Sequence, residues 1–138
     1  MAARAVTKKG DMGVYIFKSL HGPWIKIGHH RITPRRPNVY YRVAGRGFCS
    51  CVHPPELCDH LSMDDFLLIA WYPELDRRCE RLVHRACSVS VGEFHADQDV
   101  ERAMACADAL GRSEPVDDAA REEARSWAHA RGRGAFAR

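Results

Sequence analysis

Two short runs near the N-terminus, Gly13-Val14-Tyr15-Ile16-Phe17 and Trp24-Ile25-Lys26-Ile27-Gly28, restrict the fold of this chain more than any other feature. Alternating Val, Ile and aromatic residues mark both as β-strands. Ser19-Leu20-His21-Gly22-Pro23 between them supplies turn residues, so the pair predicts a hairpin. If Val14, Ile16, Ile25 and Ile27 face a core together, Tyr15 and Lys26 project from the opposite face. A phenol beside an amine on a sheet surface stabilises a fold poorly but is a workable start for a reactive site.

The remaining pattern is mixed. Pro34 and Pro37 make 31–37 a loop, and 38–45 reads as a short helix from the N-cap Asn38 to Gly45. Residues 47–61 are irregular and rich in Cys, His and Pro. The continuous apolar run 66–72 predicts a buried central strand that Pro73 ends. An amphipathic helix follows from about Glu74 to Cys87, with Leu75, Cys79, Leu82, Val83 and Ala86 on one stripe. Residues 89–94 form a short extended piece, and a second amphipathic helix spans Asp97 to Leu110, closed by Gly111. A last helix opens near Ser113 and Pro115 and runs through about Ala130. Together these predict an α+β fold: a small three-stranded antiparallel sheet flanked by helices, with an extra C-terminal helix. At 138 residues this is one domain over 13–111, preceded by a flexible basic segment (1–12) and followed by a C-terminal helix and basic tail (112–138).

Charge is distributed unevenly. Residues 1–46 hold ten basic residues against the single acid Asp11, a net +9, whereas the rest of the chain is net −6. A positive field centred on the hairpin attracts polyanions, and Lys and Arg contacts to phosphate dominate nucleic-acid affinity. No apolar run approaches a membrane span, and the N-terminal basic residues precede no apolar signal core, so the expectation is an intracellular protein, not secreted and with no membrane partner. Six cysteines, three of them inside helical patterns, suggest free thiols in a reducing compartment.

Several residues carry chemistry. Glu80 and His84 lie one turn apart on one helix face, a spacing that can hold a divalent cation or share a proton. Arg42 and Arg46 lie at the short helix or its end, where one could reach the face that carries Tyr15. His29 and His30 follow the second strand and can meet a phosphate. Cys49, Cys51, His53, Cys58 and His60 place five Zn²⁺-type ligands in twelve residues, a candidate structural zinc loop whose spacing matches no standard finger.

Gly13-Val14-Tyr15 followed by Lys26-Ile27-Gly28 resembles the paired motif of the GIY-YIG nuclease superfamily. The resemblance continues through 41–48 (Tyr-Arg-Val-Ala-Gly-Arg-Gly-Phe), the apolar strand, Glu80-Arg81-Leu82-Val83-His84 and Gly92-Glu93-Phe94. It is closest to a phage and bacterial branch with a Lys-Ile-Gly second motif and a Glu-x-x-x-His helix, and it covers about 13–96. It implies a metal-dependent DNA endonuclease. Tyr15 would lie near the nucleophilic water, Arg42 at the scissile phosphate with Arg46 as the substitute, and Glu80 on Mg²⁺ or Mn²⁺. His84 has a counterpart only in this branch. Lys26 stands where many members have a second tyrosine, which leaves the general base open between Tyr15 and Lys26. Tyr15, with an ordinary pKa near ~10, serves as a base only if neighbouring cations lower it. His29, His30, Arg35, Arg36 and Arg46 are the expected DNA- and phosphate-binding residues.

Overall fold

A computed structural model describes residues 12–31, 52–61, 65–114, 116–119 and 122. Strand β1 (Met12–Ser19) and β2 (Trp24–Arg31) form the expected hairpin, each reaching past the motif that announced it. Strand β3 (Phe66–Pro73) follows, then helix α1 (Arg77–Arg85), the short strands β4 (Ser90–Val91) and β5 (Phe94–Ala96), and helix α2 (Val100–Leu110). One-turn 3₁₀ segments occupy Pro55–Leu57 and Asp97–Asp99.

The sheet is antiparallel throughout, in the order β3-β1-β2-β5-β4. Among the described residues it therefore has five strands where three were expected. The extra pair arises in 89–96, where Gly92 takes a positive φ of 63° and turns the chain back on itself. Strands of two and three residues are too short, and with Ser90 and His95 too polar, for alternation to reveal them. A second correction concerns β3. Its apolar run suggested a central strand, yet it lies at one end of the hydrogen-bonding order. The run reflects burial on both faces, which an edge strand also has when both faces are covered. Beyond α2 the chain returns to that edge, and the Glu114 N–H donates to the Trp71 carbonyl at 2.9 Å.

Register sets the two faces. Ile16 lies opposite Ile27, and Val14 opposite His29, on the face where Val14, Ile16, Ile25, Ile27, Ala70 and Tyr72 pack with Leu75, Val83, Ala103 and Ala107. The anticipated division of the hairpin into Val14/Ile16/Ile25/Ile27 and Tyr15/Lys26 is what the register delivers. The other face is not a surface, however. Tyr15, Phe17, Phe66, Leu68, Phe94 and Leu57 are all buried there, with Phe17 edge-on to both Tyr15 and Phe66. Residues 52–61 run along it, and Glu56 accepts a hydrogen bond from Trp24 Nε1 at 2.8 Å.

Helix α1 begins at Arg77 rather than near Glu74. Asp76 caps it, accepting from the Cys79 N–H at 3.0 Å, and His84 and Arg85 lie in the last turn, where positive charge suits the helix dipole. Val83 enters the core while Leu82, expected on the buried stripe, is 41% exposed. The expected C-terminal helix does not open near Ser113: Ser113, Glu114, Val116 and Asp117 are not helical, and Glu114 bridges to Trp71, whereas Asp118, Ala119 and Glu122 are helical. The expected helix 38–45 lies outside the described residues. No described helix is long and apolar enough to cross a membrane.

Candidate functional site

The β5 ladder with β2 stops at Lys26, and this end of the ladder is where side chains from both faces of the sheet meet. From the aromatic face come Tyr15 and Lys26. Tyr15 lies opposite Gly28, and a Cβ at Gly28 would coincide with the phenol, so the absence of a side chain lets the ring cross β2. Lys26 Nζ donates to the Tyr15 hydroxyl at 2.9 Å and to Glu93 Oε1 at 2.7 Å. From the helical face come Glu80 and His84 on α1, with Glu80 Oε2 3.1 Å from His84 Nε2. Glu93, in the β4–β5 turn, joins the two sets. Its carboxylate pairs with Lys26, and one oxygen of it, one of Glu80 and one His84 nitrogen all lie within 4.8 Å of one another.

The electrostatics follow from this packing. Lys26 is 2% exposed, and burial works to lower its pKa, but the contacts with Tyr15 and Glu93 outweigh that and raise it. It stays an ammonium ion, which argues against Lys26 as a neutral base. Burial pushes the Tyr15 hydroxyl up to about 12, against the opposing pull of Lys26. Lys26 alone therefore does not bring the Tyr15 hydroxyl below its ordinary value, and Arg42, the other side chain expected to act on it, lies outside the described residues. For Glu80, burial opposes ionisation, yet the His84 hydrogen bond and the charges of His84, His29 and Arg77 hold its carboxyl below the usual range. Glu80 is an anion at neutral pH.

A deeper layer fixes His84. His84 Nδ1 lies 2.7 Å from Nε2 of the fully buried His95, whose Nδ1 lies 2.8 Å from the Val89 carbonyl and 3.0 Å from Ser90 Oγ. Asp99 in turn anchors that loop by accepting from the Ser88 N–H at 2.9 Å and from Ser88 Oγ.

Tyr15, Lys26, Glu80 and His84 are therefore brought together, and His29, opposite Val14, lies near enough to favour the Glu80 anion. His30 pairs with Gly13 in β2. Arg35, Arg36, Arg42 and Arg46 lie outside the described residues, as do Cys49 and Cys51. Of the zinc-loop candidates, His60 stacks on His21 (centroids 4.0 Å, planes 11° apart) and groups with His21 and Asp65. Among the described residues neither His53 nor Cys58 joins a ligand group, and Cys58 is an exposed free thiol. Nearly parallel stacked imidazoles direct their nitrogen lone pairs in separate planes, a poor arrangement for sharing one ion. Glu93 and His95 received no role from sequence. Glu93 carried one available signal, a Gly-Glu turn between two extended pieces, whereas His95 carried none, because its partner is a helix residue eleven positions away.

Glu80, His84 and Glu93 are the described residues here that could hold a divalent ion, two carboxylates and an imidazole of which Glu93 is already paired with Lys26. The concave surfaces lined by Pro73–Leu75 and by Asp108–Glu114 contain none of these residues. No protein-family model matches the chain, and no curated protein or solved structure matches it either.

Proposed function

We propose that this protein is a metal-dependent DNA endonuclease that hydrolyses phosphodiester bonds with a single divalent ion, Mg²⁺ or Mn²⁺, in the manner of GIY-YIG nucleases. The observation that carries this reading is the meeting of two polar sets at the end of the β5 ladder. Tyr15 and Lys26 arrive from one face of the sheet, and Glu80 and His84 from the other. Phosphodiester hydrolysis needs a nucleophile, neutralisation of charge on a pentavalent transition state and stabilisation of the leaving oxygen. Glu80 would hold the divalent ion, which would supply charge neutralisation at the phosphate and the leaving oxygen. The Lys26 ammonium adds fixed positive charge, and Glu93 holds it in place. The Tyr15 hydroxyl, kept protonated, orients water or a phosphate oxygen by hydrogen bonding. Arg42 would contribute planar donors to the remaining phosphate oxygens, and the basic N-terminal third would hold the DNA backbone.

A second reading is a catalytically silent nucleic-acid-binding domain of the same kind. It is favoured by the absence of a poised base in the Tyr15–Lys26 pair, one member held as a phenol and the other as an ammonium ion. A plasmid-nicking assay with Mg²⁺ and with Mn²⁺ decides between them. The expected result is cleavage by the parent protein and none by Glu80→Ala, with DNA affinity and fold retained. Binding without cleavage in either ion supports the silent domain, and undiminished cleavage by Glu80→Ala removes the metal assignment.

A further inference from the structure

The hydrogen-bond chain behind the candidate site has a direction. A carbonyl oxygen can only accept, so the 2.8 Å contact with the Val89 carbonyl places the proton of His95 on Nδ1. His95 Nε2 is then an acceptor, and the 2.7 Å contact makes His84 Nδ1 the donor. With that proton committed, His84 Nε2 faces Glu80 Oε2 at 3.1 Å, and the hydrogen bond between them requires a second proton on Nε2, the position that a bound metal ion would take over. His95 is 0% exposed and held by the β4–β5 hairpin, so the orientation it imposes is rigid.

We propose that His95 is a positioning residue that holds His84 as its Nδ1–H tautomer, so that His84 Nε2 and Glu80 together ligate a divalent ion and the site prefers an ion that accepts nitrogen, such as Mn²⁺ or Co²⁺, to Mg²⁺. This inference rests on the reading of Glu80 as the metal-binding residue. Imidazole suits borderline transition ions, whereas Mg²⁺ takes oxygen and keeps its waters. A metal-bound histidine commonly donates its other N–H to an outer partner that sets its tautomer, and losing that partner weakens binding about 10- to 100-fold. Here the outer partner is a second histidine, itself fixed by a backbone carbonyl.

The test uses Mn²⁺ alone with the full chain. Electron spin echo spectroscopy of the Mn²⁺-loaded protein is expected to show nitrogen coupling that disappears in His84→Ala. Calorimetry is expected to show Mn²⁺ bound at least about tenfold more tightly than Mg²⁺, a loss of about 10- to 100-fold in His95→Phe, and recovery of most of it in His95→Gln, whose amide oxygen can accept from His84 Nδ1. An oxygen-only spectrum, equal affinities for the two ions, or parental Mn²⁺ affinity in a folded His95→Phe protein would each overturn the proposal. Should His95→Phe not fold, the nitrogen coupling of the parent decides alone. None of these readouts uses DNA. A nitrogen-free site with intact cleavage defeats this inference only, and a nitrogen-ligated site without cleavage defeats only the nuclease reading.

Discussion

Gly28 shows how much one missing side chain can organise. The Tyr15 ring occupies the space that a Cβ at Gly28 would fill, and through that space the phenol reaches Lys26. Gly28→Ala is expected to displace the ring and lower unfolding free energy by about 1–3 kcal/mol, the usual cost of overpacking a tight site. In a Tyr15→Leu background most of that cost should vanish, because the smaller side chain vacates the contact. Denaturant unfolding of the two single variants and the double variant measures this coupling, and strictly additive effects would show that Gly28 is needed for another reason. The glycine and the tyrosine were both legible in the sequence as parts of a paired motif. Their opposition across the hairpin was not, since it depends on which residues the register sets side by side.

At the scale of elements, the β4–β5 hairpin gives the site both Glu93 and His95, and its placement depends on the loop that leaves α1. Asp99 accepts from the Ser88 N–H and hydroxyl, and these hydrogen bonds, the backbone one foremost, hold its carboxyl below the usual range. Asp99→Ala is expected to lower the unfolding temperature more than Ser88→Ala. The aspartate change strands a backbone N–H, whereas the serine change removes only the hydroxyl. Thermal unfolding of both variants checks the order, and equal shifts would show that the backbone bond contributes nothing. Sequence periodicity located both helices, with each start about three residues early, because Cys79 and Val83 in α1 and Ala103 and Ala107 in α2 recur at helical spacing on the core. It missed the hairpin because five residues of strand cannot display a period.

Across the whole molecule, buried ionisable groups give stability a window in pH. Tyr15 has a folded pKa of about 12 against an unfolded value of 10.0, so the folded state holds the extra proton and stability falls as pH rises from about 10 towards 12. Lys26, also raised, adds a loss in the same direction, since its paired ammonium form is present only below its folded pKa. Glu80 acts at the other end. Its carboxyl is depressed, so the stability it adds is complete above the unfolded value near 4.5 and is lost as pH falls through the lower folded one. Unfolding free energy measured against pH is expected to decline on both sides of a plateau, and Tyr15→Phe should flatten the alkaline limb. An unchanged alkaline limb in that variant would assign it to other groups.

The hairpin, the face on which its aliphatic residues lie, the two helices and the one-turn spacing of Glu80 and His84 can all be read along the chain. These are local matters, settled by alternation, helical period and turn chemistry within a few residues. Packing settles the rest: β3 lies at the end of the described sheet, the Tyr15–Lys26 face is covered, and Glu93 and His95 stand beside Glu80 and His84. Those outcomes depend on contacts between segments far apart in the chain. Whether burial or a neighbouring charge dominates at a given side chain is fixed only when those segments pack.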